Sequence, residues 1–218
     1  MKISDNKFIK IISLLGLLSG IFYFLHIIFG NIFYENYNPM AQAISDLTAD
    51  SSPSKNIARL FSGFYGVFSV IFTIGFFVYF FNKINKIISI GSCIFCIMTI
   101  ISFIGYTLFP LSESGYAETN QDKMHMLVTI VVVLFTVTSL VLFIIGFIKT
   151  KIYKKPGIIS LCTLILLIIG AMLINILPDN YFGIAERINV YSIIIYTSIL
   201  SIWMYKFIRN NKIRTNVI

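Results

Sequence analysis

The 218-residue sequence is poor in most of what a soluble enzyme is built from. Only 12% of its residues are charged, against 57% hydrophobic, whereas a soluble domain carries about 25% charged residues. It holds two histidines, three cysteines, five prolines and one tryptophan. Each shortage excludes something. No polar segment is longer than a loop, which leaves no room for a soluble domain. Cys93, Cys96 and Cys162 all sit inside apolar runs and cannot staple aqueous loops together. Cys93-x-x-Cys96 also lacks the βαβ context of a redox motif, so the three read as buried free thiols. Two histidines fall short of the three protein ligands a catalytic zinc takes, and neither H-x-x-x-H nor H-E-x-x-H occurs. A b-type haem between His26 and His125 is permitted by count alone. No charge lies near the centre of an apolar run, where an ion-coupled carrier places its coupling residues. No cofactor and no metal are expected.

What the sequence does have is long apolar runs. A helix crosses a hydrocarbon core with about 20 residues, and hydropathy places helices near 8–32, 57–82, 87–109, 124–149, 156–178 and 186–208. Continuous Ile, Leu and Phe exclude a transmembrane barrel, whose strands alternate. The expected fold is all-α: one polytopic membrane domain over 1–218 with six transmembrane helices. Pro110 and Pro178 close the third and fifth runs, and Pro156 opens the fifth in its first turn. "SSPS" opens the second, with Ser52 as N-cap and Pro53 as the first helical residue. The first apolar run is too long for a signal peptide and no small-residue cleavage site follows it, so an uncleaved span is expected.

The formal charge of +8 has a topological explanation. Lys2, Lys7, Lys10, Lys83, Lys86, Lys149, Lys151, Lys154, Lys155, Lys206, Arg209, Lys212 and Arg214 fall on one side of the six spans. They are 13 of the 17 bases, with Asp5 the only acid among them. The positive-inside rule puts both termini in the cytoplasm, with the excess charge against anionic lipid. The expected location is the plasma membrane of a bacterium or archaeon, with membrane lipid as partner and no nucleic acid.

Both histidines and eight of the nine acids belong to the opposite, extracytoplasmic half. There the polar stretch "YNPMAQAISDLTADSSPSKNIAR" joins the first two spans. "PMAQAISDL" reads as a short amphipathic helix, with Met40, Ala43, Ile44 and Leu47 on one face. It serves either as a solvated re-entry element or as a lid over the bundle mouth, with Asp46 turned toward Arg59 or Arg187. Ser19, Tyr23, His26 and Gly30 form a small and polar stripe that should face the bundle, as should Ser62, Gly66, Ser69 and Thr73. Gly16 and Gly20 form the G-x-x-x-G close-packing pattern. His125 shares a face with Thr129 and Thr136. Glu186 falls in the first turn of the sixth helix, and Arg187 beside it either snorkels, holds a lipid phosphate, or pairs with Asp46 or Asp179. Asn175 should hydrogen-bond between helices.

"ISDL" before the second span, "LFP" ending the third, a histidine opening the fourth and "GIAER" opening the sixth together resemble a bacterial and archaeal membrane family, domain of unknown function 998. The resemblance implies that Ser45, Leu47, Pro110, His125, Glu186 and Arg187 occupy the family's motif positions. It implies the six-span architecture and no activity. Two functions follow from the residues. The first is an outer-face pocket for a lipid or small amphiphile, with Arg59, Arg187 and His26 as ligand-binding residues and Tyr23, Phe29, Tyr34 and Tyr106 at its entrance. The alternative is a membrane-embedded hydrolase or transferase with Ser45, Asp46, His125 and Glu186 as its catalytic candidates.

Overall fold

The structure, a computed structural model, describes residues 3–150 and 153–215; Lys2 and Lys151 of the basic set lie outside them. Six long helices account for most of it: α1 (Ile3–Ile32), α2 (Lys55–Phe80), α3 (Lys86–Leu108), α4 (Asn120–Ile148), α5 (Lys154–Ile176) and α6 (Phe182–Thr215). All six are long and apolar enough to cross a membrane, and there is no strand among the described residues. The breakers act where expected. Pro110 and Pro178 stand two residues beyond the ends of α3 and α5, and Pro156 lies in the first turn of α5.

Two starts differ from the sequence expectation. Helix α2 begins at Lys55 after Ser54, with no side-chain cap. Ser52 and Ser54 instead donate to the carbonyl of Leu47, at 3.1 and 2.9 Å, because that buried oxygen otherwise has no partner. Helix α4 begins one turn before the hydropathy boundary. Thr119 and Asp122 close a capping box there, a T-x-x-D signal that hydropathy does not weigh.

Each helix packs on its chain neighbours, and α6 returns to α1, so the six form a closed ring. The α1–α6 seam uses the predicted small residues. A side chain on Gly16 would strike Phe72 and Ser201, and one on Gly20 would strike Ser198. Ser201 bridges the seam by donating to the carbonyl of Ser13 and accepting from the amide of Leu17. The expected inward stripes are buried at Ser19, His26, Ser69 and Thr73, and Thr73 meets Thr99 of α3 at 2.7 Å. Asn175 departs from expectation. It is exposed and bonds back to Ala171 within α5, so it bridges no helices. Of the cysteines, Cys96 is buried, Cys93 half-buried and Cys162 exposed on the outside of the ring.

A ring of six helices leaves space along its axis, and the chain fills its two halves differently. Toward the end holding the 2–3 and 4–5 connections, the axis is packed with rings. Phe76 and Phe143 approach at 6.0 Å, Phe95 and Tyr196 at 6.2 Å, and Phe80 and Trp203 at 5.3 Å, all across the ring. The larger buried cluster lies in this half, from Phe72 to Phe80 of α2, Ile88 to Met98 of α3, Leu140 to Phe147 of α4 and Tyr196 to Ile208 of α6, and a small second one, Tyr37, Leu47 and Ala58, lies at the other end. Toward the opposite, loop-rich end the axial side chains are polar.

Candidate functional site

The 1–2 connection closes the loop-rich end. It is not the amphipathic helix its spacing predicts. Only Ser45–Thr48 form a 3₁₀ turn, and residues 35–44 run as turns. Met40, predicted on the apolar face, is exposed, while Ile44, Leu47 and Ala49 are buried. The polar atoms explain why helical periodicity fails here: they bond outward to other segments rather than along the chain.

Four charged side chains help to hold this lid. Arg187 donates from Nη1 to the carbonyls of Gln42 and Gly183, both at 2.8 Å, and from Nη2 to the hydroxyl oxygen of Tyr37 at 2.5 Å. The Tyr37 hydroxyl in turn donates to the Ala43 carbonyl at 2.7 Å. Burial pushes its phenol well above the ordinary value, against the pull of Arg187, so the donor role is secure. Glu186 accepts the Ile44 amide through Oε2 at 2.7 Å. Asp46, buried, accepts the Ala43 amide through Oδ2 and the Gly115 amide through Oδ1, both at 3.1 Å. Arg59 donates to the Thr48 carbonyl and pairs with Asp50 at 2.8 Å. Gly183 is required by this closeness. A Cβ there would lie 2.5 Å from the Gln42 carbonyl oxygen and 2.6 Å from that of Pro39, backbone atoms that cannot step aside.

Each predicted charge therefore has a defined place. Asp46 turns to neither arginine; it links the lid to the 3–4 connection. Arg187 pairs with no acid, and Glu186 lies in the second turn of α6 rather than the first. Asp50 is exposed. The Gln121 amide, and after it the Arg59 guanidinium, hold its carboxyl below the ordinary value. A depressed carboxylate adds stability above its unfolded value of about 3.9 and loses it as pH falls through the folded value. Protease resistance of the lid is therefore expected to hold at neutral pH and decline modestly below about pH 4, since an exposed pair contributes under about 1 kcal/mol. In Asp50→Asn the decline should be absent; an unchanged acid response there would assign it to another group.

Beneath the lid, side chains from five helices converge. They are Tyr23 and His26 of α1, Tyr65 of α2, Tyr106 of α3, His125 of α4 and Glu186 of α6. The rings of Tyr23 and Tyr65 are 4.8 Å apart, and those of Tyr23 and His26 5.4 Å. Tyr106 packs on His125 of α4 at 4.9 Å and donates to Thr129 at 3.1 Å. Tyr23, Tyr65, Tyr106 and Glu186 are each only partly buried. His26 is 3% exposed with no hydrogen-bond partner for either ring nitrogen. With Asn189 Oδ1, these nitrogens are the buried side-chain atoms without a partner among the described residues, an uncommon state, since buried polar groups are nearly always paired. His125 differs. Its Nδ1 meets the Phe109 carbonyl at 2.8 Å, so that nitrogen carries the proton and Nε2 keeps its lone pair.

A family model described as protein of unknown function (DUF998) matches residues 17–203. The chain belongs to the DUF998 family. The match begins within α1 and ends within α6, so it takes in the whole lid and the polar side chains below it. No curated protein and no solved structure matches the chain.

Several residues that the sequence singled out serve the lid. Leu47 packs over Gly30, whose Cβ would meet it at 2.9 Å. Asp46, Glu186 and Arg187 hold backbone groups. Ser45 shows no hydroxyl bond to His125 or Glu186; its carbonyl accepts from Thr48. Of the expected entrance aromatics, Tyr23 packs on Tyr65, Tyr106 on His125, Phe29 stacks on Phe61 at 4.9 Å, and Tyr34 packs beside Tyr37. Sequence reasoning missed Tyr37, Gln42, Tyr65 and Asp122. Asp122, fully buried, accepts the Ser112 amide and hydroxyl and the Thr119 amide. Its capping box was readable; nothing in an apolar run singles out Tyr65.

Proposed function

We propose that this DUF998 protein lies in the plasma membrane of a bacterium or archaeon with both termini cytoplasmic. Its loop-rich outer end then binds a lipid or small amphiphile in the polar chamber under the lid. The orientation is supported by the segregation of bases to the other end. The binding reading is carried by His26, whose unpartnered imidazole is buried beside the Tyr23 ring. A polar head at this level would supply the missing partners, and an attached chain would leave between helices into the apolar layer. Arg59 and Arg187 enter this reading through the lid, whose carbonyls they hold, and His26 faces the ligand.

Native mass spectrometry of the protein released from mild detergent tests it. A discrete added mass is expected on the wild type and not on His26→Ala. Bare protein in both samples would overturn the proposal.

A second reading, a hydrolase or transferase, is favoured by the free Nε2 of His125 alone. Its other candidates are committed elsewhere: Asp46 and Glu186 accept backbone amides. Covalent labelling of Ser45 by a serine-directed phosphonate, lost in His125→Ala, would support it; no labelling would remove it.

A further inference from the structure

The end of the molecule opposite the lid carries an apolar groove on the outside of the ring. It lies between the first turns of α1 and the last turns of α2 and has a volume of about 310 Å³. Ligand pockets run from about 300 to 1,000 Å³. Phe8 and Ile12 line it from α1, and Ile71, Ile74 and Val78 from α2. Gly75 lines it too. A side chain there would strike Ile12, so the glycine lets the two helices approach closely at this point. Phe8, Ile71, Ile74 and Val78 are exposed and lie within the spans, so the groove opens into the apolar layer of a membrane.

One end of this groove is charged. Tyr79 also lines it, and the Lys83 ammonium lies 3.6 Å over the Tyr79 ring. A lysine at a helix end ordinarily reaches out to water; this one is folded back by the 2–3 turn. Asn82 takes a φ of 55° there, its amide donates to the Ser89 hydroxyl at 2.9 Å, and the Lys83 amide donates to the Phe80 carbonyl at 3.0 Å. The Tyr79 ring is in turn packed on Phe80 and Phe207. Among the described residues the Lys83 ammonium makes no ion pair. Lys7, Lys10 and Lys86 belong to the same end, against a single acid, Asp5, three residues before Phe8. A purely apolar occupant would leave this charge unanswered, and a zwitterionic head brings its own ammonium. An anionic phosphate head answers it.

We propose that the α1–α2 groove seats an acyl chain of an anionic phospholipid from the leaflet at this end, with the lipid phosphate on Lys83. The site lies at the other end from the one under the lid and stands without it.

The full-length protein, stripped of lipid in mild detergent, is titrated with dioleoylphosphatidylglycerol or dioleoylphosphatidylcholine, and one-lipid adducts are counted by native mass spectrometry. The anionic lipid is expected to bind about fivefold tighter, the effect of one lysine near an anionic head. Lys83→Gln should abolish that preference. Lys149→Gln should keep it, because this exposed base caps α4, which packs on α3 and α5 rather than at the groove. Ile74→Trp fills the groove from an exposed position and should weaken both lipids about fivefold. Equal binding of the two lipids, or a preference surviving Lys83→Gln, would overturn the proposal, as would unchanged binding in Ile74→Trp. Adducts lost in His26→Ala and kept in Lys83→Gln would belong under the lid and overturn this site. A lipid-free dimer would give the groove to a second copy and overturn it as well.

Discussion

Arg187→Ala is expected to raise amide exchange in the lid by about 100-fold, most at Gln42 to Asp46, with little change in α3 or α4. The guanidinium bonds three oxygens on two segments, the Gln42 and Gly183 carbonyls and the Tyr37 hydroxyl. Hydrogen bonds from a charged donor contribute about 1.5–3 kcal/mol each and are not additive when they share a donor. About 3 kcal/mol for the set corresponds to the quoted change in exchange, since local opening follows the local free energy. Arg187→Lys should recover little, because an ammonium on a flexible stem cannot span the three acceptors as a planar fork does. Full rescue by lysine would mean that only the charge mattered. Exchange raised less than about threefold in the alanine variant would show that Gly183 and Glu186 hold the lid without it.

Asp46→Asn should be comparably damaging, at about 3 kcal/mol, although it changes one atom. Asp46 is 2% exposed, and each carboxylate oxygen faces a backbone N–H, one from the lid and one from Gly115. An amide side chain retains one acceptor and turns a donor toward the other N–H, leaving two buried donors face to face. The 3–4 connection should suffer most. Gly115, Tyr116 and Glu118 there hold positive φ values of 82°, 65° and 60°, a conformation that needs outside support for residues with side chains. The signature is faster exchange at residues 112–118 together with a lower unfolding temperature. A variant with wild-type exchange in this loop would refute the bridging role. The two substitutions open different seams, so exchange maps separate them: Arg187→Ala frees the lid from α6, and Asp46→Asn frees it from the 3–4 connection.

Both effects arise from polar residues that the sequence places at the loop-rich end without giving their partners: Asp46 was expected to turn toward Arg59 or Arg187 and meets neither. Arg59 and Arg187 read as head-group ligands because interfacial arginines suit phosphates, and in the structure both hold carbonyls. A carbonyl satisfies an arginine equally well, and carbonyls are present at every residue, so no sequence pattern marks which one will be met. The helix expected from Met40, Ala43, Ile44 and Leu47 failed for a related reason. Periodicity describes a segment that satisfies its own backbone, and this one satisfies its backbone through Glu186, Asp46 and Leu111. His26 shows the converse. Its inward stripe was legible from Ser19, Tyr23 and Gly30, but the lack of a partner depends on what the other helices bring.

By itself the sequence determined the six spans, their breakers, the small-residue seam of α1 and the segregation of charge between the two ends. These rest on one-dimensional quantities: run length against the thickness of an apolar layer, proline's missing N–H, glycine spacing, and lysines counted loop by loop. Only the tertiary structure decided that α6 closes a ring with α1, that aromatic rings fill one half of its axis and polar groups line the other, and that the acids and arginines hold a lid. Ring closure brings α3 and α6 face to face across residues far apart in the chain. Which polar atom meets which is then set by distances of about 3 Å, and nothing in the order of residues encodes them.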